Sequence, residues 1–144
     1  VEIGFGKRRA AHLRLGTRGE RIAVRLLREL GLDVLARNYG GPHGEIDIVA
    51  RAGTTLCFVE VKTRHHRTNS RPADAVGREK RRRIIRTAHQ YLRELGFPSL
   101  VYRYDIVEVI LVGRRVTDLR YWRNAFQEGR ADAATRFPNM PDAD

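Results

Sequence analysis

Two short alternating runs meet at Ala52-Gly53-Thr54, and both carry acids where a core-facing strand carries apolar side chains. In Glu45 to Arg51, Ile46, Ile48 and Ala50 fall on one strand face, and Glu45, Asp47 and Val49 on the other. In Leu56 to Thr63, Leu56, Phe58, Glu60 and Lys62 share a face, with Cys57, Val59 and Val61 opposite. A turn of two or four residues sets Asp47 and Glu60 on one face as opposite or diagonal neighbours; a turn of three separates them. Carboxylates this close repel unless a cation lies between them or one is protonated. A hard divalent ion such as Mg²⁺ accepts oxygen ligands of this kind. Lys62 projects from the same face as Glu60, where it can orient an attacking water or stabilise the charge of a phosphorane-like transition state. Those are the needs of phosphodiester hydrolysis. The plainer alternative is an Asp–Lys–Glu salt-bridge cluster on a solvated sheet face. Spacing alone leaves both open.

The flanking sequence supplies the remaining elements. Thr17 to Leu30 has helical period, with Ile22, Leu26 and Leu30 four apart and Gly31 as the stop. Leu32 to Tyr39 reads as a strand ending before Gly40-Gly41-Pro42. A helix is expected from about Ala75 to Leu95, with Ile84, Ala88, Tyr91, Leu92 and Leu95 as its apolar stripe. Gly77 is an alternative start. Val101 to Val112 reads as a strong strand and Arg115 to Tyr121 as a weaker one, with Asn124-Ala125-Phe126 opening a short closing segment. The order is α-β-β-β-α-β-β, which predicts an α/β fold with a mixed central sheet flanked by helices. The first three strands should form an antiparallel meander, and the long helix lets the next strand pair in parallel.

With 144 residues the chain is expected to hold one domain, over residues 16–126. Residues 1–15 read as a flexible basic arm and 127–144 as a loose, disordered tail. No apolar run nears the roughly 20 residues that cross a bilayer. No signal-peptide pattern opens the chain, so a cytoplasmic location and no membrane partner are expected. The single cysteine, Cys57, excludes an intramolecular disulfide and a multi-cysteine zinc site. The formal charge of +11, mostly arginine, points to a polyanion, with nucleic acid first. Solubility is the plainer account of that charge.

Several separate blocks resemble the YraN-like uncharacterised family. They are Gly16-Thr17-Arg18-Gly19-Glu20, Arg37-Asn38-Tyr39, Gly44-Glu45-Ile46-Asp47, Phe58-Val59-Glu60-Val61-Lys62-Thr63-Arg64, Ala75-Val76 with Lys80, and Arg103-Tyr104-Asp105-Ile106-Val107. The resemblance runs from about residue 16 to 126. An additional residue near Gly40-Gly41-Pro42-His43 and the basic N-terminal arm depart from the pattern. That family is related to restriction-endonuclease-like nucleases and resembles archaeal Holliday-junction resolvases. The resemblance therefore implies a restriction-endonuclease-like fold and Mg²⁺- or Mn²⁺-dependent cleavage of DNA, including branched or structured forms. It implies Asp47 and Glu60 as metal ligands, Lys62 as the catalytic lysine, and Glu20 as a helix carboxylate entering the site. The backbone carbonyl of Val61 becomes a further ligand. A homodimer is implied on the same ground.

Other features stay divided between function and structure. Glu20 closes the capping-box spacing Thr17-Arg18-Gly19-Glu20, so it can cap its helix as well as serve the site. Glu45 shares the face of Asp47, while a tight turn at Gly44 explains the Gly-Glu pair as well. Lys80-Arg81-Arg82-Arg83 places four cations early in a helix, where they oppose the macrodipole and a phosphate would relieve them. With Arg64 they are the candidate nucleic-acid contacts; a solvated basic face is the alternative. Arg103 and Asp105 share a face and can simply pair. His65-His66 point to opposite faces, and neither Gly4-x-Gly6 nor Gly16-x-x-Gly19 follows a strand as a dinucleotide loop would. The expectation is a metal-dependent endonuclease, with a non-catalytic nucleic-acid-binding module on the same fold as its rival. A protein-interaction adaptor is the third possibility.

Overall fold

The computed structural model describes residues 17–42, 44–65 and 76–132. Helix α1 covers residues 17–29 of these. It is followed by β1 (Asp33–Gly41), β2 (Gly44–Ala52), β3 (Thr55–Arg64), α2 (Arg78–Glu94), β4 (Tyr102–Val112) and β5 (Arg115–Phe126). The order is the α-β-β-β-α-β-β expected from the sequence. The residues read as an N-terminal arm and most of those read as a tail lie outside the described part, as do Ala75, His43 and His66.

The five strands form one mixed sheet in chain order. β1, β2 and β3 are an antiparallel meander, β4 runs parallel to β3, and β5 returns antiparallel to β4. The β3-to-β4 connection passes through α2, as a parallel neighbour requires. β2 and β3 are joined by the two-residue turn Gly53-Thr54, with Gly53 at φ +60°. A glycine is favoured there because the first central position of such a turn needs positive φ.

Helices cover both sheet faces, so the middle strands are buried on both sides. On one face α1 contributes Ala23, Val24 and Leu27, which pack with Ile48, Ala50, Cys57, Val59, Val107, Val109 and Leu111. On the other, Ile84, Ile85, Ala88 and Leu92 of α2 pack with Phe58, Val49, Tyr104 and Phe126. Alternate residues of β3 thus serve opposite cores, which explains its nearly continuous apolar run. Cys57 is fully buried there, as expected of a small core residue.

Four sequence readings need correction. α2 starts at Arg78 with Gly77 as its N-cap, three residues beyond Ala75, and Leu95 is exposed rather than part of the apolar stripe. β5 is one strand through Phe126, so Asn124-Ala125-Phe126 extends it instead of opening a new segment. The packed part also continues past 126. One oxygen of Glu128 accepts hydrogen bonds from Tyr104 Oη at 2.7 Å and Tyr102 Oη at 2.8 Å, and lies 2.7 Å from Nε2 of buried His89. Burial alone would raise the Glu128 carboxyl, but these donors outweigh it and hold its pKa at about 2.

Candidate functional site

The even-numbered turn at Gly53 sets the register that brings the acids together. Pairs run from Ala52↔Thr55 to Ile48↔Val59. One step further the same register puts Asp47 opposite Glu60. There the regular ladder gives way: the Val61 N–H donates to Asp47 Oδ2 at 2.8 Å, so a carboxylate takes the place of a backbone acceptor. Side-chain alternation breaks at the same point. Ile46 packs with Val49 and the α2 core, whereas Ile48 and Ala50 join the α1 core. The expectation that Ile46, Ile48 and Ala50 share a face is therefore corrected. Strand N–H and C=O groups of one residue leave on the same edge, so the Val61 carbonyl is also directed toward Asp47.

Glu60 is 5% exposed, and its carboxylate lies against that of Asp47. Burial first, and then the Glu60 charge, push the Asp47 carboxyl far above the usual carboxylate range, although the Val61 N–H works the other way. Lys80, in the first turn of α2, forms an ion pair with Glu60 Oε1. Lys62 is half-buried two residues along β3 and has no ion-pair partner among the described residues.

Glu20 approaches from α1. Gly19 favours this: a Cβ there would lie 2.3 Å from Thr63 Oγ1, so a larger residue would force the Thr63 hydroxyl aside where α1 settles against β3. Asn38 stands in β1 with φ +50°, a conformation asparagine tolerates better than other side chains. With its amide nitrogen turned toward the acids, it donates to Glu20 Oε2 and Glu45 Oε1, each at 3.0 Å. Burial raises the Glu20 pKa and Asn38 lowers it, while the Glu45 and Glu60 charges raise it again. Glu20 thus has a partner on β1, besides any capping role. Glu45 is exposed, and Gly44 before it sits at φ +147°, so the turn does require a glycine.

The predicted basic contacts separate. Arg64 turns inward to buried Glu108 at 3.3 Å. Arg81 Nε donates to the Val76 carbonyl at 2.9 Å and its guanidinium lies over Phe126. Arg83 pairs with Glu79 at 2.8 Å, and Arg82 is exposed. Arg103 and Asp105 pair, as the simpler reading had it. Sequence reasoning missed the roles of Asn38 and Gly19. A strand asparagine and an early-helix glycine, each inside a block shared with the family, were the available signals.

No three Asp, Glu, His or Cys side chains among the described residues converge closely enough to hold an ion between them. The available donor set is two adjacent carboxylates and one carbonyl, all hard oxygen. It fits Mg²⁺ or Mn²⁺, because Mg²⁺ keeps several waters and needs only one or two protein carboxylates.

The model of Uncharacterised protein family UPF0102 matches residues 19–109, a span from Gly19 in α1 to Val109 in β4. The chain belongs to this family. A UPF0102 protein of Caldicellulosiruptor saccharolyticus is 38% identical over 113 residues, 78% of this chain and 96% of that protein. One from Syntrophotalea carbinolica is 46% identical over 97 residues, covering 67% of this chain and 79% of its own length. A UPF0102 protein of Chlorobaculum tepidum is 44% identical over 96 residues, covering 67% and 74% respectively. These matches support the YraN-like resemblance. The UPF0102 match contains Glu20, Asn38, Asp47, Glu60, Val61, Lys62 and Lys80, so the whole acidic site lies inside it. No helix among the described residues is long and apolar enough to cross a membrane.

Proposed function

We propose that this UPF0102 chain is a metal-dependent endonuclease that hydrolyses phosphodiester bonds in DNA, branched or structured forms included. One observation carries the reading: half-buried Asp47 lies against buried Glu60 where β2 and β3 part, and the Asp47 pKa is forced upward as a result. Such a pair is costly unless a cation or a proton is shared. Lys80 answers the Glu60 charge, whereas Asp47 receives only the Val61 N–H among the described residues.

Asp47, Glu60 and the Val61 carbonyl would hold Mg²⁺ or Mn²⁺, which supplies Lewis acidity toward a phosphoryl oxygen. Asp47 is kept in place by the Val61 N–H. Lys62 presents an ammonium on the Glu60 face, where it stabilises the negative charge that grows on the phosphate as water attacks. Glu20, held by Asn38, orients water at the α1 side. The site sits at the first turn of α2, whose N-terminal N–H groups and basic side chains favour an incoming phosphate.

The Lys80–Glu60 ion pair supports a second reading. An internal ammonium already neutralises one of the two acids, so the fold can serve as a non-catalytic nucleic-acid-binding module. A cleavage screen with Mg²⁺ and Mn²⁺ over duplex, single-stranded, flapped and four-way DNA separates the two. The endonuclease reading expects cleavage of at least one substrate by the wild type and none by Lys62→Ala. Binding without cleavage of any substrate supports the module instead.

A further inference from the structure

A second charged feature lies on the opposite side of the sheet from α2. α1 and β1 border a groove of about 490 Å³, lined by Arg21, Arg25, Arg28, Arg37, Glu29 and Val24. Four of these six residues are arginines. The only acid, Glu29, pairs with Arg25 at 3.3 Å, and both side chains are mostly exposed, so that pair neutralises little. Arg21, Arg28 and Arg37 are exposed and form no salt bridge among the described residues. Arg21, Arg25 and Arg28 follow helical spacing along one α1 face, and Arg37 stands across from them on β1.

Like charges at this spacing oppose each other on a bare helix. Arg28 suits the C-terminal end of α1, where cations meet the negative end of the macrodipole. That account does not extend to Arg21, nor to Arg37 on a strand. The groove also leads to the acidic site. Glu20 precedes Arg21 on α1, Asn38 follows Arg37 on β1, and the Arg37 charge acts on the Glu20 carboxyl.

We infer that this groove is a track for the phosphate backbone of duplex DNA, and that it delivers one strand to the Asp47–Glu60 site. Arg21 and Arg28 are two helical turns apart, about 10 Å along the axis. Projected on the duplex axis, that distance corresponds to about three phosphates of one strand. Guanidinium forks suit phosphate because they donate two hydrogen bonds in one plane. The track adds to the α2 basic cluster a second contact region, separated from it by the sheet. It rests on the nucleic-acid part of the proposed function and not on hydrolysis.

The test is fluorescence-anisotropy titration of a labelled DNA duplex across a salt series, using the full chain without added metal. The double variant Arg21→Gln with Arg28→Gln is compared with the double variant Arg114→Gln in the β4–β5 turn and Arg115→Gln at the start of β5, which loses the same charge. All four side chains are exposed, and circular dichroism confirms the fold of each variant. The groove variant should bind about tenfold more weakly, and its slope of log K against log salt should fall by about 2. The turn variant should stay within about twofold of wild type. Equal effects in the two variants overturn the track. Wild-type binding that prefers an acidic protein or heparin to duplex overturns it in favour of another polyanion. The endonuclease reading fails separately: a wild type that binds through the groove but cleaves nothing keeps the track and loses the nuclease.

Discussion

Asp105 and Asp47 are acids on neighbouring parts of one sheet, and their surroundings differ in kind. Asp105 is fully buried and fully answered. Arg103 Nε donates to its two oxygens at 3.0 and 3.1 Å, Tyr121 Oη donates at 2.5 Å, and the Asn124 N–H donates at 2.8 Å. Asp47 receives one backbone N–H and otherwise faces Glu60. Buried acids that hold a fold together are surrounded by donors. Two acids set against each other need a shared proton or a cation to offset their repulsion. The contrast places Asp105 among the residues that hold the fold, and leaves Asp47 as the acid on which the proposed function rests.

Substitution should separate the two strongly. Asp105→Ala strips the acceptor from Arg103, Tyr121 and Asn124 and should cost about 3 kcal/mol in denaturant unfolding. An unfolding free energy unchanged within experimental error would remove Asp105 from the structural class. Asp47→Asn should go the other way. Its folded carboxyl has a raised pKa, so the acid contributes stability at low pH and loses it as pH rises. The amide variant should therefore gain on the order of 1 kcal/mol at neutral pH without divalent ions. Added Mg²⁺ should narrow that gap by stabilising only the wild type. A destabilised Asp47→Asn would mean that the two acids are alike after all.

Glu128 extends the structural class to a residue beyond the sheet. Its pKa is held at about 2 against an ordinary 4.5, so its contribution is present above pH 4.5 and declines as pH falls toward 2. Glu128→Gln should flatten that acid limb in a pH series of thermal melts. An unchanged limb would show that the bonds from Tyr102, Tyr104 and His89 do not stabilise the fold. The smallest effect is expected at Asn38. Asn38→Gly keeps the positive φ accessible and removes the amide from Glu20 and Glu45. Stability should change by about 0.5 kcal/mol or less, while Mn²⁺ affinity falls several-fold. Equal affinity in both proteins would make Asn38 a turn residue only.

Much of this contrast was legible beforehand. Among the described residues, periodicity located the five strands and the two long helices because each buries a regular stripe, and it allowed Asp47 and Glu60 on one face for an even turn, which Gly53-Thr54 supplies. The break at Asp47 was not legible, since alternation assumes an uninterrupted ladder and a side chain has replaced a backbone partner there. Asn38 escaped because its role depends on α1 meeting β1, which no local pattern encodes. The same reason hid Glu128, which lies in a polar stretch yet docks on α2 and β4. Arg64 looked available from sequence, but its partner Glu108 lies on β4, which pairs with β3 only after the chain has passed through α2.

The central claim is that Asp47 and Glu60 form a divalent-cation site. Isothermal titration of Mn²⁺ and of Mg²⁺ into the full chain tests it most directly, with and without DNA. Binding is expected in the wild type, and its loss is expected in Asp47→Ala and in Glu60→Ala while both remain folded. A folded wild type that takes up neither ion, even with DNA present, would contradict the account.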